Sequence, residues 1–295
     1  MDSKLIILFI ILMVLFLLIY TYYLNLNIFN VESFSNNNFK IIENRILKKN
    51  FISEKKIPKL ILQTYKDNKV NPIIHKNIIQ MLNKNIDYSY LLITDSLGQE
   101  LINKYFDKRV LNAFNCLNIG AAKGDFLRYI GLYIYGGIYI DMDSSINGNL
   151  DDYINFNYNF MFFMDKANNL EQWCIITKSK NLILKKIILT MVERIENREN
   201  NIFLATGPTL FTDVIYNMIN NSNLYDTNVK LTSHQRYNFF MKNKKFMGGR
   251  IFKRTKNENL MFSFRFKNYN TKILYPKNDK YQPTWNQETP YLYKK

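Results

Sequence analysis

Two acids separated by one residue, Asp141 and Asp143, follow the apolar run Ile138 to Ile140, and upstream of them Asp125 and Arg128 stand three apart. Carboxylates at this spacing suit a hard divalent cation, because Mg2+ and Mn2+ prefer oxygen ligands and keep substrate phosphate and water in their shell. An ion held there neutralises the charge that grows on a departing diphosphate, while an arginine fork complements phosphate or sugar oxygens. The chemistry on offer is group transfer from a phosphate-bearing donor. An Asp-x-Asp triplet also occurs in solvated loops. An Asp and Arg three apart on a helix also make ordinary surface pairs worth about 0 to 1 kcal/mol, so the elements carrying these residues decide between the readings.

Ile119, Ala122, Phe126, Tyr129 or Ile130, and Tyr133 recur three or four apart, which predicts an amphipathic helix with Asp125 and Arg128 on one face. Gly136-Gly137 ends it, since glycine takes the left-handed conformation that helix C-termini commonly need. Ile138 to Asp141 then reads as a strand whose alternation puts Tyr139, Asp141 and Asp143 on one side. The carboxylates thus sit at the C-terminal end of a buried strand, where open α/β sheets bind ligands.

Earlier, Lys59 to Tyr65 is an apolar run ending in Gln63, Thr64 and Tyr65, the pattern of a buried strand with a functional edge. Asn71 and Pro72 open a helix as N-cap and first residue. Tyr90 to Thr94 forms a second strand, followed by a helix capped by Asp95 or Ser96 and running toward Phe106. Strand, helix, strand, helix predicts an α/β fold with a mostly parallel central sheet and right-handed crossovers.

From Leu5 to Leu24 the chain carries no charge and ends in Tyr20, Tyr22 and Tyr23. That length crosses a bilayer as a helix, and Tyr favours the headgroup level. We read residues 1–24 as an uncleaved transmembrane signal anchor, 25–56 as a stem or linker, and 57–295 as the globular domain. Asp2, Lys4 and the terminal amine flank the anchor against Glu32 beyond it, a slight positive bias that places the remainder of the chain in the lumen of a Golgi- or ER-like membrane, or in the membranes of a viral host, as a type II protein.

The stretch AAKGDFLRYIGLYIYGGIYIDMD resembles the Asp-x-Asp sugar-binding glycosyltransferases of family 32, which include yeast outer-chain initiating α-mannosyltransferases and share this motif with the glucosylating domains of large clostridial toxins. Ala-Ala, Asp-x-x-Arg-Tyr, Gly-Gly-x-Tyr and Asp-x-Asp occur in order and at the family's spacing. IPKLILQTY, from Ile57 to Tyr65, resembles the family's opening strand, with Leu62 in place of its His and Tyr65 in place of its Trp. Ala205-Thr206-Gly207-Pro208 resembles its Thr-Gly-Pro turn, read either as a Thr-capped helix start or as a substrate contact.

The resemblance implies a GT-A type, Rossmann-like fold and transfer of a hexose, with retention of configuration, from a UDP- or GDP-sugar to a glycan, glycolipid or glycoprotein. It implies that Asp125 and Arg128 bind donor sugar and phosphate, that Gln63, Thr64, Tyr65 and Tyr139 contact donor, and that Asp141 and Asp143 serve ribose and a divalent metal, Mn2+ or Mg2+. Trp285, in Gln282-Pro283-Thr284-Trp285, occupies the place of the family's donor-closing segment and reads equally as a packing residue.

Composition bounds these readings. Hydrophobic residues make up 47% of 295, which excludes a wholly disordered chain. The net charge of +16 is scattered among Asn, Ile and Tyr rather than clustered, so no nucleic-acid partner is expected. Two cysteines, Cys116 and Cys174, lie far apart with no CxxC, which argues against zinc and leaves buried free thiols or a lumenal bridge. Paired acids also serve nucleotidyl and phosphoryl transferases, although no P-loop occurs, and a membrane-tethered, non-enzymatic binding module could keep the same fold.

Overall fold

The computed structural model describes residues 13, 39–47, 56–152, 154, 156, 158–164, 170–220, 251–253, 262–263 and 292–294. In chain order it runs β1 (Lys40–Ile41), β2 (Leu60–Tyr65), β3 (Lys69–Val70), α1 (Pro72–Asn83), β4 (Ser89–Thr94), α2 (Asp95–Tyr105), α3 (Lys108–Cys116), α4 (Gly120–Tyr135), β5 (Gly137–Ile140) and β6 (Ser145–Ile146). After a 3-10 turn, Leu150–Asp152, come β7 (Phe160–Met164), β8 (Leu170–Thr177), α5 (Leu182–Glu196), α6 (Ile202–Ala205), α7 (Pro208–Asn220), β9 (Ile251–Lys253) and β10 (Phe262–Ser263).

Six strands form one sheet in the order β4-β2-β5-β8-β7-β9. β2 pairs in parallel with both β4 and β5, β8 runs antiparallel between β5 and β7, and β9 is parallel to β7. Five strands therefore point one way and β8 the other, giving the mostly parallel α/β sheet expected. The alternation of strand side chains explains the near-continuous apolar runs, because both faces are covered. Leu60, Leu62, Leu91, Ile93 and Phe162 join the core beneath α2 to α7. Ile61, Tyr90, Leu92, Ile138 and Ile140 face the opposite core with Ile74, Ile78, Met81 and Leu82 of α1.

Local signals set most boundaries. Asn71 caps α1 by accepting from the Ile73 amide, as expected. Helix α2 is capped by Thr94, the last residue of β4, rather than by Asp95 or Ser96: its hydroxyl accepts from the Leu97 amide. Helix α4 is buried around most of its circumference, more than an amphipathic helix requires, because α2 and α5 cover the sides that the sheet leaves. Cys174 is buried and Cys116 half-buried, and both are free thiols.

Part of the stretch read as stem is built into the fold. Ile42 is buried, Arg45 bridges to Tyr90 along the outer edge of β4, and its guanidinium donates to the Asn85 and Tyr88 carbonyls at 2.8 and 2.7 Å. These residues cover a sheet edge that would otherwise offer free backbone groups. Among the described residues no helix is long and apolar enough to cross a membrane. The expected anchor, apart from Met13, lies outside the described residues, as does the segment ending in Trp285.

Gly136 and Gly137 turn the chain from α4 into β5 with φ of 68° and 106°. A Cβ on Gly137 would lie 2.4 Å from the Leu60 carbonyl oxygen of β2, so the strand pairing itself demands glycine. Gly137→Ala should destabilise the fold by at least about 1–3 kcal/mol, read from the midpoint of urea unfolding. An unchanged midpoint would mean that β5 does not start against β2 in this way.

Candidate active site

The chain leaves β2 through α1 to reach β4 on one side, then returns to place β5 on the other side. Strand order reverses at β2, and such switch points leave a crevice beyond the carboxyl ends of the strands. Here those ends carry Gln63, Thr64 and Tyr65 from β2, and Tyr139 followed by Asp141 from β5.

Tyr139 is buried, and its hydroxyl lies 2.7 Å from Asp141 Oδ1 and 3.1 Å from Thr64 Oγ1. The phenol has one proton and gives it to the carboxylate, so Thr64 is the donor in the second bond. Asp141 Oδ1 also receives Arg128 Nη2 at 2.9 Å. The same nitrogen lies 3.0 Å from Asp125 Oδ1, Nη1 donates to the Gln172 carbonyl at 3.1 Å, and the guanidinium carbon stands 4.8 Å from the centre of the Tyr139 ring. Arg128 is only 6% exposed and Asp125 1%, whereas Asp141 retains 24%.

The main chain of Asp141 is fixed as firmly as its side chain. Its amide donates to the Trp173 carbonyl at 2.9 Å, and its carbonyl accepts from Gln63 Nε2 at 3.2 Å. Gln63 is fully buried and is itself oriented by Tyr90, whose hydroxyl donates to Oε1 at 3.0 Å. β5 ends at Ile140, one residue short of the expected strand end, and Met142 and Asp143 form a turn. Tyr139 and Asp141 share a side as alternation predicts; Asp143 lies in the turn that follows, half-buried, with Ser144 Oγ 3.4 Å from its Oδ1. Asn77 of α1 anchors that turn by donating to the Ser144 carbonyl at 2.7 Å.

Burial governs the ionisations. It pushes the Asp141 carboxyl upward, with Arg128 and the Tyr139 hydroxyl pulling the other way. For Arg128 burial acts downward, but Asp141, Tyr139 and Asp125 outweigh it and keep the guanidinium charged. Burial carries Asp125 up to about 7 against the pull of Arg128, with Thr206 and Gln172 also favouring the ionised form. Burial likewise raises the Cys174 thiol, which keeps a soft thiolate away from this hard-oxygen site.

The donor set fits a hard divalent ion. Among the described residues Asp141 Oδ2 receives no hydrogen bond, and Asp143 stands two residues away in the turn. No cluster of three or more His, Cys, Asp or Glu occurs among the described residues. The protein's share would be one or two carboxylates, as Mg2+ and Mn2+ sites completed by substrate phosphate and water require.

The structure brings Asp125, Arg128, Tyr139, Asp141, Gln63 and Thr64 into one hydrogen-bonded assembly, with Asp143 in the turn two residues beyond Asp141. The Tyr65 ring packs instead in the α1-side core, and Trp285 lies outside the described residues. Sequence reasoning passed over Gln172, Tyr129 and Tyr90. A lone amide in the buried strand LEQWCIIT was the available signal for Gln172. Thr206 does not cap α7: among the described residues its hydroxyl lies 3.1 Å from Asp125 Oδ2 and 3.4 Å from the Ile202 carbonyl.

Residues 69–161 match the family described as the glycosyltransferase sugar-binding region containing a DXD motif. That stretch of the chain is similar to DXD sugar-binding regions. It takes in Asp125, Arg128, Tyr139, Asp141 and Asp143, and leaves β2, Gln172 and Thr206 outside. The chain is 35% identical over 95 residues to a mannosyl phosphorylinositol ceramide synthase of Saccharomyces cerevisiae, covering 32% of this chain and 25% of that protein. It is 30% identical over 119 residues to an uncharacterized glycosyltransferase of Acanthamoeba polyphaga mimivirus, covering 40% and 47%. It is 25% identical over 212 residues to the initiation-specific alpha-1,6-mannosyltransferase of Candida albicans, covering 57% and 54%. The matches therefore span a quarter to about half of these relatives' lengths.

Because Asp125 sits above the 3.8 of an ordinary Asp, the native state keeps a proton that the unfolded chain loses between about pH 4 and pH 7. Its contribution to stability is full below that window and is lost as pH rises through about 7. In urea unfolding, the stability of the wild type minus that of Asp125→Asn should fall across this window, with a slope of up to about 1.4 kcal/mol per pH unit, and level off above it. Parallel profiles would show a carboxylate charged throughout.

Proposed function

We propose that this chain is a metal-dependent glycosyltransferase of GT-A type that moves a hexose from a nucleotide-diphosphate sugar to a glycan, glycolipid or glycoprotein acceptor, with retention of configuration. One observation carries the reading. Asp141, at the switch point of the sheet, has one carboxylate oxygen committed to Arg128 and Tyr139 while the other receives no hydrogen bond among the described residues. An acid meant only to close an ion pair has no need of a hydroxyl, a guanidinium and two main-chain bonds to fix its direction.

Asp141 and Asp143 would hold Mn2+ or Mg2+, which supplies charge neutralisation to the departing nucleotide diphosphate. The chain's own residues supply positioning. Arg128 brings a permanent positive charge to the floor of the crevice, in surroundings where such charge acts more strongly than in water. Thr64 and Tyr139 set the rim between β2 and β5. Retention by a front-side route, in which the leaving phosphate takes the acceptor's proton, needs orientation and electrostatics rather than a protein nucleophile.

Mannose is the favoured sugar, because relatives from both yeasts are named for mannosyl transfer. A membrane glycolipid is the favoured acceptor, in line with the mannosyl phosphorylinositol ceramide synthase and with the apolar segment at residues 5–24, which would tether the enzyme as a type II protein.

The full chain in detergent, given GDP-mannose and UDP-hexoses with and without Mn2+, should release nucleotide from one of them only when the metal is present, and EDTA should abolish the release. Asp143→Ala should lower kcat at least ~100-fold, the scale of losing a main electrostatic stabiliser of the transition state, with melting temperature little changed. Turnover indifferent to EDTA and to Asp143→Ala would remove the proposal.

A further inference from the structure

Within the assembly, Asp125 is the more deeply buried of the two acids that share Arg128. It is 1% exposed, and every oxygen of its carboxylate is engaged from within the protein. Oδ1 receives Gln172 Nε2 at 2.9 Å and lies 3.0 Å from Arg128 Nη2, and Oδ2 receives the Thr206 hydroxyl at 3.1 Å.

The donors themselves are built in. Gln172 projects from β8 and is used three ways: its Nε2 binds Asp125, its Oε1 accepts from Tyr129 at 2.5 Å, and its carbonyl accepts Arg128 Nη1. Thr206 is fully buried where α6 ends, before Gly207 and Pro208 turn the chain into α7. Side chains from β8 and the α6–α7 turn thus converge on one carboxylate of α4, and that carboxylate shares Arg128 Nη2 with Asp141.

We propose that Thr206 and Gln172 are positioning residues, which clamp Asp125 so that Asp125 aims the Arg128 fork at Asp141. The inference rests on the proposed function in that Asp141 is taken to face the donor. The physical logic is that of an outer-shell partner: a buried carboxylate held by a single contact can swing, whereas one held on both oxygens from two other elements cannot. An Nη2 with two protons serves Asp125 and Asp141 together only if both acids keep their places. Loss of such partners typically costs about 10–100-fold in activity or metal affinity.

Two substitutions separate the hydroxyl from the volume: Thr206→Val removes the hydroxyl at nearly equal bulk, and Thr206→Ser keeps the hydroxyl while removing the methyl. The full chain in detergent provides two readouts. One is the NMR signal of the Arg128 Nε–H, a proton on an atom that is buried and without a hydrogen-bond partner in the structure, assigned by its disappearance in Arg128→Lys. The other is kcat/KM for the nucleotide sugar that the wild type turns over.

Thr206→Val should shift or broaden the Arg128 signal and lower kcat/KM about tenfold, and Thr206→Ser should rescue both. Gln172→Met, which removes the amide from the other oxygen, should repeat the Thr206→Val pattern and serves in its place should that variant fail to fold. An Arg128 signal that stays in place in Thr206→Val or Gln172→Met overturns the clamp, and so does a Thr206→Ser as impaired as Thr206→Val. A wild type that turns over no nucleotide sugar, but whose Arg128 signal responds as described, would sink the proposed function and leave the clamp standing.

Discussion

The site depends on one guanidinium shared between two acids. Taking Arg128, Asp125 and Asp141 out of water costs several kcal/mol per ion before any attraction is counted, and buried ion pairs are often no more stabilising than apolar residues of the same shape. Stability alone therefore gives little reason to build the triad. Its value lies in direction: the fork leaves Arg128 only one way to satisfy both carboxylates, and Asp141 is fixed accordingly. The further bonds from Tyr139, Gln63 and the Trp173 carbonyl restrain the same residue from other sides. That redundancy is expected where a group must be held ready for a reaction rather than merely paired.

The rest of the fold serves to bring α4, β5 and β8 together around that guanidinium. Helix α4 must approach the sheet closely for Arg128 to reach the end of β5, and Gly131 permits it: a Cβ there would lie 2.3 Å from the Ile93 side chain. The two glycines after α4 then reverse the chain tightly enough for β5 to lie beside β2. Antiparallel β8 closes the arrangement by offering Gln172 and the Trp173 carbonyl on consecutive residues, one to the ion cluster and the other to the Asp141 amide.

Much of this was legible in the residues. The helix from Gly120, its glycine stop, the strand after it and the parallel pairing around Leu60–Tyr65 all follow from local rules of period and capping. What was not legible is long-range. Nothing near Gln172 or Thr206 in the chain indicates that both meet Asp125, since the contact is made by the order of strands rather than by spacing. The alternation rule stops short of Asp143 for a related reason: β5 is only four residues long, and the chain turns at Met142 and Asp143. Arg45, in a stretch that reads as linker, docks because β4 is an edge strand, a fact that only the sheet order supplies.

The distribution of exposure separates roles that residue types alone leave merged. Asp125 and Asp141 are chemically identical, and both touch the same Arg128 nitrogen, yet one keeps about a quarter of its side chain open and the other almost none. Solvent access is what a ligand must use to enter, so of the two acids on Arg128 it is Asp141 that keeps a route to an incoming group. In the proposed clamp Asp125 would act through Arg128. The Asp-x-x-Arg pair and the Asp-x-Asp triplet would then be two layers of one device, an inner acid that orients the arginine and an outer acid that the arginine orients.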